Sequence, residues 1–363
     1  MARKLKSDKW LFMATLLLIG TSVVMVYSAS AVKAMDGRPY YFLFKQLSWA
    51  IFGVCGLAAM MRLDYRNYRQ PAVIWTALGV ATFLLVLVLF GPEINGARRW
   101  FAVAGIGVQP SEFAKLAVIL FVAAVLERRM DRINDVSYSL GFIGLVTAMI
   151  AGLILVEPDL GTAAGVAVIV GAMVLAAGLS YRWVGVAVLL ALPMAGYFLS
   201  VGYRWQRLTS WTDPWVDRMG DGYQLVQSLI AVGTGGLLGL GVMGGVQSHQ
   251  YLPEAHTDFI YAVIAEETGI VGASAVLLCF GVIGWRGFRV ALRAPDRFGS
   301  FLAIGITTMV IGQAFLNMSV VLGLLPTTGI PLPFVSAGGS SLISSLIGMG
   351  ILLNVSQHAS AHS

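Results

Sequence analysis

The sequence predicts an all-α polytopic membrane protein, and three observations carry that prediction. Of its 363 residues, 58% are hydrophobic and only 12% are charged, whereas soluble domains carry about 25% charged residues. Apolar runs of about 20 residues, the length that crosses the hydrocarbon core, recur along the chain. Basic residues concentrate in alternate connections between those runs. We therefore treat residues 1–363 as one transmembrane domain.

The apolar runs predict about ten transmembrane helices. They cover residues 10–32, 42–61, 71–90, 111–126, 137–156, 160–179, 183–201, 259–284, 299–322 and 340–355. An even number of helices places both termini on one side, and most of the 24 Lys and Arg residues fall on that side. The positive-inside rule makes it the cytoplasmic side.

Residues 229–246 contain no charge and are long enough to be a further span. They are rich in glycine, which destabilises helices, and a span here would move the basic loop 286–297 to the opposite side. We therefore predict one large outer loop, about residues 202–258, between helices 7 and 8. It includes an amphipathic piece at 222–230 and is expected to lie along the membrane surface.

Two smaller features complete the predicted architecture. The Pro- and Gly-rich run 323–341 between helices 9 and 10 cannot form a regular helix, and its apolar character predicts a re-entrant-like segment packed in protein. Cys55 and Cys279 lie in apolar runs and are predicted to be small core residues, not a disulfide or a metal pair.

The most informative polar stretch precedes the eighth helix, where Glu254 and His256 lead to Asp258. A simple explanation is a carboxylate stabilised by the helix dipole. The alternative is a general base whose pKa is raised at the hydrocarbon edge. Spacing would place Asp258, Ala262 and Glu266 on one helical face. So many ionisable groups beside an apolar helix favour function.

Glu112 and Lys115 open the fourth helix, three residues apart, which allows them to pair. They form either a structural ion pair or a site in which Lys115 meets an anionic group and Glu112 orients it. Asp159 lies in a turn and is either a turn residue or a functional carboxylate.

Arginines supply the remaining candidates. Arg98 is one of two adjacent arginines that precede Trp100. Such a group is a common interfacial anchor, but with Arg204, Arg207 and Lys115 it provides the positive field that a diphosphate requires. Nucleotide-binding glycine motifs, His/Cys metal spacings and a nucleophilic serine elbow are missing from the sequence. Any group-transfer chemistry must therefore depend on carboxylates.

Four blocks, in this order, make the chain resemble the SEDS family (shape, elongation, division and sporulation). They are Asn95-Gly-Ala-Arg-Arg-Trp100, Gln109-Pro-Ser-Glu-Phe-Ala-Lys115, Tyr251-Leu-Pro-Glu-Ala-His-Thr-Asp-Phe259 and the run from Asn317 through Gly323-Leu-Leu-Pro to Ser341. The resemblance extends over most of the chain. Asp213-Pro-Trp215 and Gly222-Tyr-Gln-Leu-Val-Gln-Ser228 are more similar to the family's division proteins than to its elongation proteins.

The resemblance implies a peptidoglycan glycosyltransferase that joins lipid II units during septal wall synthesis and releases undecaprenyl diphosphate. It implies Asp258 as the catalytic residue. It also implies functional roles for the Glu112–Lys115 pair and for Asp159. Together with the residues singled out from their charge and position, the predicted substrate-binding residues are Arg98, Glu112, Lys115, Asp159, Arg204, Glu254, His256 and Ser336. No residues are predicted to form a metal site, although a divalent cation, Mg²⁺ or Mn²⁺, is left open. The family's usual lysine after Gln247 is Ser248 here, so another cation must replace it.

The same resemblance implies the partners and the location. The partners are lipid II, a class B penicillin-binding protein transpeptidase and other divisome membrane proteins, with no nucleic acid. The location is the bacterial inner membrane at the division septum, with both termini cytoplasmic. Two alternatives stay open: a lipid II flippase, which requires a polar path across the membrane, and a non-catalytic divisome scaffold, in which the carboxylates are dispensable.

Overall fold

The structure is a computed structural model that describes residues 7–30, 40–93, 97–103, 106–186, 202–247 and 251–359, with residues 189, 193 and 196. The described chain is predominantly helical, which confirms the predicted fold class. Its α-helices are α1 Lys9–Ser30, α2 Tyr41–Arg62, α3 Pro71–Val88, α4 Pro110–Arg129, α5 Gly141–Val156, α6 Leu160–Ala176, α7 Tyr203–Thr212, α8 Tyr223–Thr234, α9 Ile260–Arg293, α10 Arg297–Val321 and α11 Gly339–Ala359. A short antiparallel ribbon, β1 Phe101–Val103 and β2 Ile106–Val108, precedes α4.

Seven helical stretches within the described ranges are long and apolar enough to cross a membrane, and α6 is a shorter apolar helix. The long helix α4 carries Glu112 and Lys115, and it is buried along nearly its whole length by its neighbours. The predicted seventh helix, 183–201, lies largely outside the described residues, so the count of ten stays a prediction. The predicted eighth helix is longer than expected, because α9 continues to Arg293.

The interior of the bundle consists of α4, α10 and α11, whose residues are mostly buried, while α2 and α3 expose apolar side chains. In a spanning protein that exposure faces lipid. The prediction that Cys55 is a core residue is wrong for this reason: it lies exposed on α2, beside the exposed Ile51 and Phe52. Cys279 is half-buried, and both cysteines are free thiols.

Ion pairs link the helix ends on one face of the bundle, which we call the basic face. They are Asp8–Arg286, Arg66–Asp296, Arg69–Glu127, Arg297–Asp131 and Asp64–His358, the last requiring a protonated imidazole. These residues occupy the connections predicted to be cytoplasmic. Asp159 and Asp258 lie at the other ends of their helices, on what we call the site face. The connections predicted to be cytoplasmic therefore lie together on one face, and the orientation of that face in the membrane stays a prediction.

The glycine-rich run after α8 packs against a break in α9 at Gly269, whose φ is +66°. The break leaves backbone groups without helical partners, and the run supplies them. Leu240 N–H donates to Glu266 O at 3.0 Å, and Ile270 N–H donates to Gly236 O at 2.9 Å. A Cβ at Gly239 would lie 2.1 Å from Glu267 O, so only glycine fits. The run therefore packs into a break in α9, a contact that the predicted location along the membrane surface did not include.

Candidate active site on the site face

Asp258 lies in the turn immediately before α9, one residue ahead of the N-cap Phe259. It is therefore not on the helical face that the sequence suggested for Asp258, Ala262 and Glu266. The side chain is partly buried and faces the Pro/Gly segment, where a Cβ at Gly329 would lie 3.4 Å from Asp258 Oδ2. Gly329 has a φ of +70°, a conformation that favours glycine. The backbone of the Pro/Gly segment therefore packs close to the Asp258 carboxylate.

The Pro/Gly segment holds the Asp258 loop in place through hydrogen bonds to its backbone. Ser336 Oγ donates to Thr257 O at 2.5 Å, and Ala337 N–H donates to His256 O at 2.9 Å. Asn317 Nδ2, from α10, donates to both Asp258 O at 2.7 Å and Ile330 O at 2.8 Å. These contacts fix the position of the Asp258 backbone without occupying its carboxylate.

The charges around Asp258 set its acidity. Burial and the neighbouring Glu254 carboxylate raise the pKa of Asp258 to about 6, while Arg207 and Arg99 oppose that rise. Asp159 contributes a smaller upward effect. A carboxyl with this pKa is ionised at neutral pH, yet it is more basic than an ordinary aspartate. That combination suits a general base.

Asp159 lies at the start of α6 and caps that helix. Its Oδ1 accepts from Thr162 N–H at 3.0 Å, and its Oδ2 accepts from Thr162 Oγ1 at 2.8 Å. Gln109 Nε2 donates to the same Oδ2 at 3.0 Å, which ties the cap to the residue before α4. Asp159 is therefore both a structural cap and part of the charge cluster that includes Asp258.

Glu157 is a fully buried carboxyl that the sequence analysis did not single out. Neither of its side-chain oxygens has a hydrogen-bond partner among the described residues, and burial next to Asp159 raises its pKa to about 8. Arg99 Nε donates to the backbone oxygen of Glu157 at 2.8 Å and does not bond to the carboxyl. At neutral pH Glu157 is therefore mostly protonated. The sequence feature that could have indicated Glu157 is its position as a carboxyl at the end of an apolar run.

The acidity of Glu157 predicts a pH-dependent stability. Its pKa is higher in the folded protein than the ordinary 4.5, so the folded state binds the proton more tightly. The resulting stabilisation is complete below pH 4.5 and falls by about 1.4 kcal/mol per pH unit up to about pH 8. Replacing Glu157 with Gln should remove that dependence, so the variant becomes more stable than wild type as pH rises from 6 to 9. Unfolding temperatures in detergent check this, and parallel curves for the two proteins would refute it.

Lys115 and Glu112 form a buried ion pair, with Lys115 Nζ 3.0 Å from Glu112 Oε1. Lys115 Nζ also donates to Gln313 Oε1 at 2.7 Å, and Ser344 Oγ donates to Glu112 Oε2 at 3.1 Å. Gln313 Nε2 continues the chain to Pro331 O at 3.0 Å. Gln313 and Asn317, one turn apart on α10, thus connect the ion pair to the segment that faces Asp258.

A cavity of about 220 Å³ adjoins this ion pair, between α4, α6 and α10. Its polar end consists of Glu112, Lys115 and Gln313, while most of the remaining lining is apolar. Among the lining residues, Val168 and Phe315 are exposed on the outer surface of the bundle. The cavity is therefore a lateral groove, open toward lipid, with a cation at its inner end.

The structure places the other predicted residues less centrally. Arg98 is exposed, donates to Leu89 O at 3.2 Å and lies 4.0 Å from Glu93. Its neighbour Arg99 is the arginine of this pair whose charge acts on Asp258. The imidazole of His256 packs edge-on against Phe42 at 5.2 Å. The side chain of Arg204 and all of Ser248 lie outside the described residues.

Ser336 is better interpreted as a positioning residue than as a substrate contact. It is buried, and its hydroxyl both donates to Thr257 O and accepts from Leu332 N–H at 2.8 Å. Glu254 is exposed, and its carboxylate accepts from Thr257 Oγ1 at 3.1 Å. Its charge therefore acts on the pKa of Asp258 without Glu254 being buried beside it.

The described residues contain no group of three or more His, Cys, Asp or Glu side chains that could hold a metal ion. The Asp258 and Glu254 carboxylates have the oxygen ligands that Mg²⁺ prefers, so a divalent cation at this site stays a prediction.

The fold and the site together define a polytopic membrane protein with a carboxylate and arginine site on one face and a lateral groove beside it. The chain belongs to the cell cycle protein family that groups FtsW, RodA and SpoVE, whose sequence profile matches residues 9–361. This confirms the SEDS resemblance.

Named relatives and solved structures extend the match over the whole chain. Stage V sporulation protein E of Bacillus subtilis is 42% identical over 98% of this chain and 99% of its own. A probable peptidoglycan glycosyltransferase FtsW of Geobacter metallireducens is 44% identical over 92% of this chain and 90% of its own. One solved structure is a peptidoglycan synthase complex that coordinates polymerization and crosslinking. A chain of that complex superposes on this protein with a TM-score of 0.81 at 31% identity, and the match covers 98% of this chain and 99% of the other. Thermus thermophilus RodA superposes with a TM-score of 0.71 at 30% identity, with 97% of both chains covered.

Proposed function

We propose that this protein is a peptidoglycan glycosyltransferase that polymerises lipid II into glycan strands and releases undecaprenyl diphosphate. Relatives over 40% identical carry the name peptidoglycan glycosyltransferase, and a chain of similar structure belongs to a peptidoglycan synthase complex. The observation that carries the proposal is a partly buried Asp258 carboxylate whose pKa is raised to about 6 against the opposing charges of Arg207 and Arg99.

Asp258 acts as the general base. The acceptor sugar hydroxyl attacks the anomeric carbon of the donor, forming a new C–O bond while the bond from that carbon to the lipid diphosphate breaks. The hydroxyl proton moves to an oxygen of Asp258, and the electron pair of the broken bond leaves on the diphosphate. Asp258 accepts the proton readily because its pKa lies near the working pH.

Cations stabilise the negative charge that develops on the leaving diphosphate. The charges of Arg99 and Arg207 act on the pKa of Asp258, so we assign these two arginines to the leaving diphosphate. Lys115 supplies a third cation from the inner end of the groove, held in position by Glu112 and Gln313. Fixed charges in a water-poor cleft act more strongly than the same charges in water.

The lateral groove provides a place for the isoprenoid part of the substrate. Its apolar lining, including Val168, Met309 and Leu316, suits hydrocarbon, and its opening toward lipid allows entry without leaving the membrane. The substrate would then lie with its chain among these residues and its diphosphate toward Lys115 and the arginines.

The cellular setting follows from the same proposal. The site face is the outer face of the bacterial inner membrane, both termini are cytoplasmic, and the protein works at the division septum. It functions with a class B penicillin-binding protein transpeptidase and other divisome membrane proteins. Support comes from the basic face described above and from the relatives named FtsW.

Incubating the purified protein in proteoliposomes with fluorescently labelled lipid II tests the proposal. We expect a ladder of glycan polymers. Movement of labelled lipid II between leaflets without polymer would instead support a flippase, and the absence of both activities in a folded, partner-bound protein would support a scaffold.

The charges around Asp258 predict how the rate of polymerisation depends on pH. Activity should rise through about pH 6 and level off above it, because only the ionised carboxylate is a base. Replacing Arg207 with Gln removes a charge that lowers the pKa, so the midpoint should move up. Replacing Glu254 with Gln removes a charge that raises it, so the midpoint should move down.

The matched control for these variants is Arg98→Gln, because Arg98 is not among the charges that shift Asp258. Its midpoint should equal that of wild type. The pH profile of kcat/KM provides the measurement, since it reports the free enzyme. Shifts of Arg207→Gln and Glu254→Gln in the same direction would rule out Asp258 as the titrating base.

A further inference from the structure

A second pocket, of about 340 Å³, lies on the basic face, far along the bundle from the candidate active site. It forms between the start of α1, the C-terminal part of α9 and the end of α11. Its polar lining comprises Ser7, Asp8, Lys9, Arg286, Arg289, Arg293 and Ser356. Its volume is typical of small-ligand sites.

The lining carries more positive than negative charge, and its one carboxylate is already neutralised. Asp8 forms an ion pair with Arg286 and accepts from Trp10 N–H at 3.0 Å. Asp8 N–H donates to Ser356 Oγ at 3.1 Å, which fixes the base of the pocket. Within the described chain, Lys9, Arg289 and Arg293 have no carboxylate within ion-pair distance. Three cations therefore line the pocket without an acidic partner among the described residues.

The pocket also borders the apolar surface of the bundle. Trp10 lines it and is 61% exposed, and Trp285, 65% exposed, lies 5.9 Å from the Arg289 guanidinium. Leu292, on the next turn, is almost fully exposed. Tryptophans at this level are typical of the membrane–water interface. An occupant would meet cations at one end and hydrocarbon at the other.

We propose that this pocket binds the headgroup of an anionic phospholipid. The phosphodiester would lie against Lys9, Arg289 and Arg293, and the acyl chains would follow α1 and α9 into the bilayer. Clusters of Lys and Arg at the cytoplasmic end of transmembrane helices attract anionic headgroups in this way. A free phosphate would satisfy the cations but not the exposed tryptophans and Leu292. The site requires no catalysis, so it does not depend on the proposed enzymatic function.

Native mass spectrometry of the full-length protein in detergent tests the proposal. We would titrate phosphatidylglycerol and cardiolipin and compare them with the zwitterionic phosphatidylethanolamine. Each surface cation contributes about 1 kcal/mol to binding an anionic lipid, so the variant Arg289→Gln/Arg293→Gln should bind phosphatidylglycerol about 30-fold more weakly. Binding of phosphatidylethanolamine should change little.

The control Arg128→Gln/Arg182→Gln removes two charges from the same face outside the pocket and should leave lipid affinity unchanged. If both double variants lose the same affinity for phosphatidylglycerol, binding depends on the general surface charge and not on this pocket, and the proposal is overturned. Competition by millimolar inorganic phosphate as strong as that by phosphatidylglycerol would show a free-anion site instead. Unfolding temperatures show whether both double variants remain folded. If either does not, the single variant Lys9→Gln removes another cation of the pocket and should also weaken phosphatidylglycerol binding.

Discussion

Replacing Asp258 with Asn should lower the rate of glycan polymerisation from lipid II by roughly 10²- to 10⁴-fold, the usual contribution of a general base. The amide cannot accept the proton of the acceptor hydroxyl. The loss should appear in kcat as well as in kcat/KM, because the proton transfer occurs only in the transition state. Polymer formation from purified lipid II provides the measurement.

The same variant should remain folded. The Asp258 carboxylate accepts no hydrogen bond from the described residues, whereas its backbone oxygen, bonded to Asn317, is unchanged by the substitution. Because burial disfavours the charged carboxylate, the neutral amide should leave the unfolding temperature equal or higher above pH 6. Wild-type polymerisation by a folded Asp258→Asn protein would remove the base assignment.

Replacing Lys115 with Met should have the second-largest effect, on stability and on activity together. It leaves Glu112 charged and buried without its cation, and breaking a buried ion pair in this way costs about 3–5 kcal/mol. It also removes a cation proposed to stabilise the diphosphate, for which we expect a loss of about 10²- to 10³-fold in kcat by analogy with an oxyanion donor. Thermal unfolding and the polymerisation assay measure the two effects separately.

The double variant Glu112→Met/Lys115→Met separates the structural role from the functional one. Removing both charges should restore much of the stability, because no unpaired charge remains in the bundle. Polymerisation should stay low, because the cation is still missing. Recovery of full activity in the double variant would show that the pair serves only to hold α4, α10 and α11 together.

The sequence predicted the transmembrane architecture and the candidate base because both depend on local signals. Apolar run length fixed most helix positions within a few residues, as for α3 and α10. Asp258 stood out because a carboxylate beside an apolar helix requires a partner or a function. Neither inference required knowledge of which helices contact each other.

The supporting contacts could not be predicted, because they join residues distant in the chain. Asn317 reaches Asp258 across 59 positions, and Lys115 reaches Gln313 across 198. The choice between adjacent arginines also depends on tertiary structure: Arg99 bonds to the backbone oxygen of Glu157, while Arg98 is directed toward Leu89. Sequence spacing cannot distinguish two such neighbours.

The glycine-rich run shows how one observation can be correct while its explanation is incomplete. Its glycines did argue against a membrane-spanning helix. Their physical reason, however, is close approach to the broken helix α9, where a Cβ at Gly235 would lie 1.9 Å from Ala265 O. In the sequence, Gly269 is a glycine inside an apolar helix, which can mark a break. Its role is evident only when the glycine-rich run is seen packed against that break.

The most direct test is an experimental structure of the protein with a non-reactive lipid II analogue in the acceptor position. The distance to measure joins the acceptor hydroxyl oxygen and the nearest Asp258 carboxylate oxygen. We predict about 2.6–3.2 Å, or one bridging water, which is the reach of a general base. A sugar bound elsewhere, with Asp258 turned away from every hydroxyl, would contradict the assignment.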